Sequence, residues 1–241
     1  MPGLSSSSSR TAVRHLRWRR PARPRRDRCG VTILLSDPRV SAVPLLDNHE
    51  PLVALDASFG PARALVRQGV AVRLAKAQGL LSGGLRLRVV EGHRSVADQQ
   101  AIIARYSAEV CAARPGVSPG DLDRLVSRFV APLAVAPHVA GAAVDLTLVD
   151  AHGREVDMGT AVDATPEQSA GACYLASPDI SRFARSHRRL LATVLTWSGF
   201  VNYPTEWWHW SYGDRYWALL TGAPAALYGP VVAGAGSGAA A

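Results

Sequence analysis

At 241 residues, 48% of them hydrophobic, the chain is long and apolar enough for one domain with a sizeable core. Its formal charge of +8 is concentrated at the start: nine of the 27 basic residues but one of the 19 acidic ones fall within residues 1–30, which leaves the remainder neutral. That location excludes a strongly basic nucleic-acid surface on the folded part, and no apolar run approaches the roughly 18 residues of a membrane-spanning helix.

Residues 1–30 are Ser-rich and then Arg- and Pro-rich, a composition that predicts disorder. Two readings fit them: a basic arm for nucleic acid or a membrane surface, or upstream sequence ahead of a natural start at Val31. The abrupt change of composition at Val31 favours the second. Val31-Thr32-Ile33-Leu34-Leu35 is too short for the ~7–15 apolar residues of a secretory signal. The pair Arg19-Arg20 lacks the apolar stretch that follows in a twin-Arg signal. Three cysteines (Cys29, Cys111 and Cys173) at long spacings, without a CxxC pair, predict a reduced, cytoplasmic protein rather than a disulfide framework or a Cys-based zinc site.

In chain order, residues 31–60 read as an extended leading segment, strand-like at Val31–Leu35 and interrupted by Pro38 and Pro44. Leu65, Val66, Val70, Leu74, Ala77 and Leu81 recur at helical spacing and predict a helix over Pro61–Leu81. Leu85–Val90 alternates apolar with basic residues and reads as a strand with one buried face. Ser95, three residues before Asp98, caps a helix expected to end near Tyr106, with a connection over 107–117. Ser118 and Pro119 open another helix to about Val130, placed to cover a site. Pro137–Gly141 reads as a loop, Ala143–Val149 as a strand, and Asp150–Gly153 as a turn into a hairpin with Arg154–Val156. Residues 164–178 read as loop, Ser181–Gly199 as a helix whose apolar stripe ends at Trp197, and Phe200–Tyr203 as a short strand. Residues 229–241 form a Gly/Ala tail without packing content.

Two stretches carry the chemistry. Tyr203–Tyr212 holds three of the six Trp together with Glu206 and His209. Pro137–Asp145 holds His138 and Asp145. His138, Asp145 and His209 supply the nitrogen and carboxylate donors of one catalytic metal, which keeps a position open for water. Asp145 lies mid-strand among apolar neighbours, a costly place unless it is paired or metal-bound. Glu206, three residues before His209, is left as a general base on metal-activated water, and the two converge only if a turn or bulge intervenes, for which Pro204 is suited. Arg94, at a strand-to-helix junction, is the candidate cation for a developing oxyanion. His93 beside it is a candidate pocket-lining residue. His15, His49, His152 and His187 read as solvated.

The order of these motifs resembles the VanX-type D-alanyl-D-alanine dipeptidases, zinc D,D-peptidases related by fold to peptidoglycan D,D-carboxypeptidases and to the hedgehog signalling domain. The resemblance spans roughly residues 31–228. It rests on Glu91-Gly92-His93-Arg94, on His138 to Asp145 continuing as Leu146-Thr147-Leu148, on Asp157-Met158-Gly159-Thr160, and on Gly199 to Tyr203 followed by Glu206-Trp207-Trp208-His209. It implies an α+β fold, one compact domain with a central antiparallel sheet flanked by helices. It implies one Zn2+ per chain on His138, Asp145 and His209, Glu206 as base, Arg94 at the transition state, and Asp163 on the substrate's free amino group. The implied substrate is the D-Ala-D-Ala dipeptide in a small enclosed pocket, hydrolysed in wall-precursor turnover or glycopeptide resistance, with no nucleic acid or membrane partner for the folded domain. Three departures bear on selectivity: His93 stands where the family usually has Tyr, Ala136 where some relatives carry a Ser, and Asp56-Ala57-Ser58-Phe59 offers no Tyr. A D,D-carboxypeptidase on peptidoglycan fragments, a non-enzymatic zinc module and a nucleic-acid binder through residues 1–30 are the competing readings. Glu206 and Arg94 weigh against the module, since holding zinc needs neither.

Overall fold

The computed structural model of the chain describes residues 32–231. The basic segment at 1–30, Val31 and most of the Gly/Ala tail lie outside the described residues. No strand forms at Thr32–Leu35. Instead Asp37 caps a short helix α1 (Pro38–Ser41), accepting from the Arg39 amide at 2.9 Å, with Pro38 in the first turn where its missing N–H costs nothing.

Strand β1 (Leu52–Ala54) pairs antiparallel with β2 (Leu65–Arg67), and helix α2 (Gln68–Gly79) follows directly. The expected helix over 61–81 is thereby shortened at its start. Leu65 and Val66 share the helical spacing of Val70, Leu74 and Ala77, but they are paired with Ala54 and Val53. Long-range strand pairing overrides local period, and β-branched Val66 suits a strand. In the other direction, α3 (Val96–Ala113), capped by Ser95 at the Asp98 amide, runs seven residues past its expected end, through the segment read as a connection. Tyr106 and Val110 continue its apolar face, and the chain turns only near Gly116, with φ of 83°. Helix α4 (Pro119–Val126), capped by Ser118, stops four residues short of Val130.

The central sheet is four-stranded and antiparallel, in the order β3 (Arg86–Glu91), β4 (Ala143–Val149), β6 (His209–Ser211), β5 (Val201–Asn202). β4 spans the expected residues, yet all seven are buried because it is an inner strand with both faces covered. The expected hairpin after β4 reduces to a single bridge between Val149 and Glu155. Helix α5 (Arg182–Trp197) and α2 pack against the sheet. Val144, Leu146 and Leu148 of β4 meet Leu74 of α2 and Leu191 and Leu195 of α5 in the main core. Burying each such side chain contributes about 1.5–3 kcal/mol. Trp197, expected in the apolar stripe of α5, is 60% exposed. Helix α6 (Arg215–Thr221) follows β6, capped by Asp214, and packs with α1 around Tyr203 and Tyr216 in a second apolar cluster. α3 and α4 share a third, small cluster of Tyr106, Val126 and Val130.

Candidate active site

The site is built on one row of the sheet. Asp145 on β4 lies in register with His209 on β6 and with Glu91 on β3. Side chains opposite one another across antiparallel strands share a face, so these three point to the same side. A bulge in β3 makes this possible: Val89 pairs with Leu146 and Glu91 with Asp145, leaving Val90 unpaired. Without that extra residue, Glu91 would sit on the opposite face.

His138 arrives from a tight turn in which Gly141 N donates to His138 O at 3.0 Å. Gly141 adopts φ of 64°, and a Cβ there would lie 2.5 Å from the Leu52 side chain, so a larger residue would add backbone strain and displace Leu52. His138 Nδ1 donates to the Gly92 carbonyl at 2.8 Å, which fixes the tautomer and turns the Nε2 lone pair inward. His138 Nε2, His209 Nδ1 and Asp145 Oδ1 then form a triangle with edges of 3.1, 3.0 and 3.4 Å. A tetrahedral cation bonded at about 2.0–2.1 Å sets its donors about 3.3–3.4 Å apart, so the triangle fits one face of such a site. Two imidazoles and a carboxylate are donors suited to a divalent first-row metal. All three are buried, and among the described residues this is the one group of such side chains whose donor atoms converge.

Electrostatics agree with the geometry. Burial raises the Asp145 carboxyl, but His138 and then His209 outweigh it and hold the group far below the usual carboxylate range. Burial opposes protonation of His138, yet the Asp145 carboxylate pushes its proton affinity up. Glu206 lies in a turn in which its own amide donates to Tyr203 O at 2.9 Å, the deviation from regular strand that the Glu206–His209 spacing requires. Its carboxylate stands 3.8 Å from His209 Nδ1, and burial, followed by Asp145 and Asp163, raises its pKa well above the ordinary value.

A cavity of about 450 Å³ opens over the triangle and is lined by Arg94, Asp163 and Glu206 as well as the three donors. Asp163 enters it from a backbone with φ of 64°, its carboxyl pushed up to about 6 by burial and then by Asp145 and Glu91. Arg94 is held by both Glu91 oxygens (Nε to Oε1 at 2.7 Å) and donates through Nη1 to Gln99 Oε1 at 2.9 Å. His93, the expected pocket residue, is not among the lining side chains. Its amide is tied to Leu65 O on β2, and its Nε2 is buried without a partner among the described residues. Successive residues leaving a strand face opposite ways, and Arg94 takes the cavity side. The helical insertion forms the outer wall, with Arg105, Tyr106 and Glu109 of α3 facing Thr165 and Gln168.

The sequence marks Glu91 only as part of the Glu91–Arg94 motif, with no role of its own, and does not mark Gln99. For Glu91 a signal existed, an acid three residues before Arg94. For Gln99, whose Nε2 donates to Ala131 O at 2.8 Å, there was none.

A family model described as D-ala-D-ala dipeptidase (Peptidase M15) matches residues 61–221. The D-alanyl-D-alanine dipeptidase of Synechocystis sp. is 30% identical over 217 residues, covering 73% of this chain and 87% of the relative. That of Escherichia coli K12 is 40% identical over 72 residues, 30% of this chain and 35% of the relative. Among solved structures, a mutant of the vancomycin resistance D,D-pentapeptidase VanY in complex with Zn(II) aligns over 71% of this chain and 88% of its own, with 17% identity and a TM-score of 0.42. The extent of the family match, with the Synechocystis relative aligned along most of both chains, shows that this chain belongs to the D-Ala-D-Ala dipeptidase family of peptidases.

Proposed function

We propose that the chain is a zinc dipeptidase that hydrolyses D-Ala-D-Ala to two D-alanines, acting in the cytoplasm in the turnover of wall precursors. The observation that carries this reading is the buried triangle of His138, Asp145 and His209 with Glu206 3.8 Å from one of its corners, at the base of a cavity of about 450 Å³. The three donors would hold one Zn2+ per chain, which would supply Lewis acidity to a water and to the scissile carbonyl.

Glu206 takes the proton from the attacking water and delivers it to the leaving amine. Its raised proton affinity suits a group that must keep the proton between the two events. Arg94 stabilises the oxyanion. Three of its five N–H donors are engaged by Glu91 and Gln99, which leaves the others for the substrate while the guanidinium is held still. Asp163 pairs with the free amino group and so requires a substrate that ends there. A cavity of this size, walled on its outer side by α3, favours a dipeptide over a polymer.

The test is release of free D-alanine from D-Ala-D-Ala by the zinc-loaded protein, with Glu206→Ala beside it. Turnover in the wild type that is lost in a variant still binding zinc supports the reading. A zinc-bound wild type that releases no D-alanine refutes the dipeptide specificity. Cleavage of a wall pentapeptide in its place identifies a D,D-carboxypeptidase.

A further inference from the structure

From the backbone of the Trp-rich turn, we infer that Asn202 is a positioning residue: its side-chain amide fixes the turn that carries Glu206 relative to His209. The inference rests on the reading of Glu206 as the base. Asn202 lies on β5 opposite Trp210 of β6. Its single Nδ2 donates to two backbone carbonyls, those of Glu206 and His209, both at 2.9 Å. The two N–H bonds of one amide thus span the i to i+3 segment bearing both groups. The amide orientation follows from these partners, since the flipped form would point an oxygen at two carbonyl oxygens. Oδ1 is buried and has no hydrogen-bond partner among the described residues, so its burial is a cost that the two Nδ2 bonds offset.

The two ends of this clamp depend on it unequally. The His209 carbonyl also accepts from Tyr203 N at 3.1 Å, and His209 is fixed a second time by strand pairing with Asp145. The Glu206 carbonyl accepts otherwise from His209 N, at a longer 3.3 Å. Neighbouring parts of the turn are anchored elsewhere: Trp207 N donates to Cys173 O at 3.0 Å, Trp210 Nε1 to Trp207 O at 3.0 Å, and Leu175 N to Pro204 O at 3.0 Å. Asn202 therefore matters most for the peptide of the base and least for the metal donor. A displacement of about 1 Å in a catalytic group costs on the order of 100-fold in rate.

The experiment compares wild type with Asn202→Ala and Asn202→Asp, the latter nearly isosteric but with an acceptor in place of the donor. Four quantities are read: kcat and KM on D-Ala-D-Ala, zinc affinity by chelator competition, and amide exchange at His209, whose N–H bonds the Glu206 carbonyl. The expected result is a kcat lowered about 10- to 100-fold, more in Asn202→Asp, with KM and zinc affinity within about threefold and faster exchange at His209. A kcat within twofold of wild type overturns the proposal. So does a zinc affinity that falls in step with kcat, or failure of both variants to fold, since either describes a structural residue. If the wild type itself has no turnover, the proposed function fails, and exchange and zinc affinity decide the clamp: unchanged exchange at His209 overturns it.

Discussion

The floor and the outer wall of the cavity are held in different ways. The floor is sheet. Asp145 and His209 are placed by backbone register, His138 by a glycine turn, and the layer behind them is the main core, with Leu146, Leu148 and Leu195 fully buried. The outer wall is a helical insertion with its own small cluster, joined to the 164–178 segment by polar side chains. Tyr106 Oη donates to Glu167 Oε2 at 2.8 Å, and Arg128 bonds the Tyr174 hydroxyl through Nη2 at 2.6 Å while its Nη1 lies 3.3 Å from Glu167 Oε1. Register in a buried sheet cannot drift by a fraction of a residue. A partly exposed polar network tolerates substitution, because water replaces a lost partner. The contrast teaches that a fixed cavity floor and an adjustable cavity wall can belong to one domain, provided that they draw on different packing layers.

Substitutions should break this contrast in a definite order. The largest effect is expected from Asp145→Ala, which removes a donor and the carboxylate partner of both imidazoles. Zinc affinity should fall by at least about 1,000-fold in chelator competition, with activity at background. Retained nanomolar zinc would mean that the triangle is not the metal site. Next, Glu206→Gln should keep zinc affinity within a few-fold while kcat drops by roughly 100- to 10,000-fold in single-turnover assays. Parallel loss of metal would make Glu206 a ligand instead.

Arg94→Ala comes third, with kcat reduced about 100-fold or more and KM little changed, if its work is confined to the oxyanion. The fourth concerns pH. If Asp163 pairs with the substrate's amino group as proposed, it does so only when ionised, and its carboxyl is pushed up to about 6. As pH falls through that value the carboxyl protonates, so kcat/KM for the dipeptide should decline, and Asp163→Asn should erase that limb of the profile. An unchanged limb in the variant would reassign the titration. The smallest effect belongs to the wall: Tyr106→Phe should cost no more than about 1.5 kcal/mol in urea unfolding and leave kcat within threefold. A wall variant that matched Glu206→Gln in its loss would end the distinction between floor and wall.

Local signals marked several elements well. Ser95 and Ser118 both cap the helices they announce, and Ala143–Val149 is a strand with the expected bounds. They failed where distant contacts decided. Leu65 and Val66 read as helix and are strand because Val53 and Ala54 lie alongside. The sequence points both His93 and Arg94 toward the pocket, whereas alternation sends only Arg94 there. Trp197 counted as apolar stripe and faces outward.

What the sequence determined by itself was the set of reactive groups and their order: two imidazoles, a carboxylate, a second carboxylate three residues before the last His, and a cation after a strand. Side-chain chemistry is fixed by residue identity, and the motif order carries the family. What only the tertiary structure decided was their convergence. A bulge at Val90 sets Glu91 beside Asp145, a register sets Asp145 beside His209, and a turn folds Glu206 back toward the same point. These placements depend on pairings between residues up to 64 positions apart, as between Asp145 and His209, and local propensity carries no information about which strands meet.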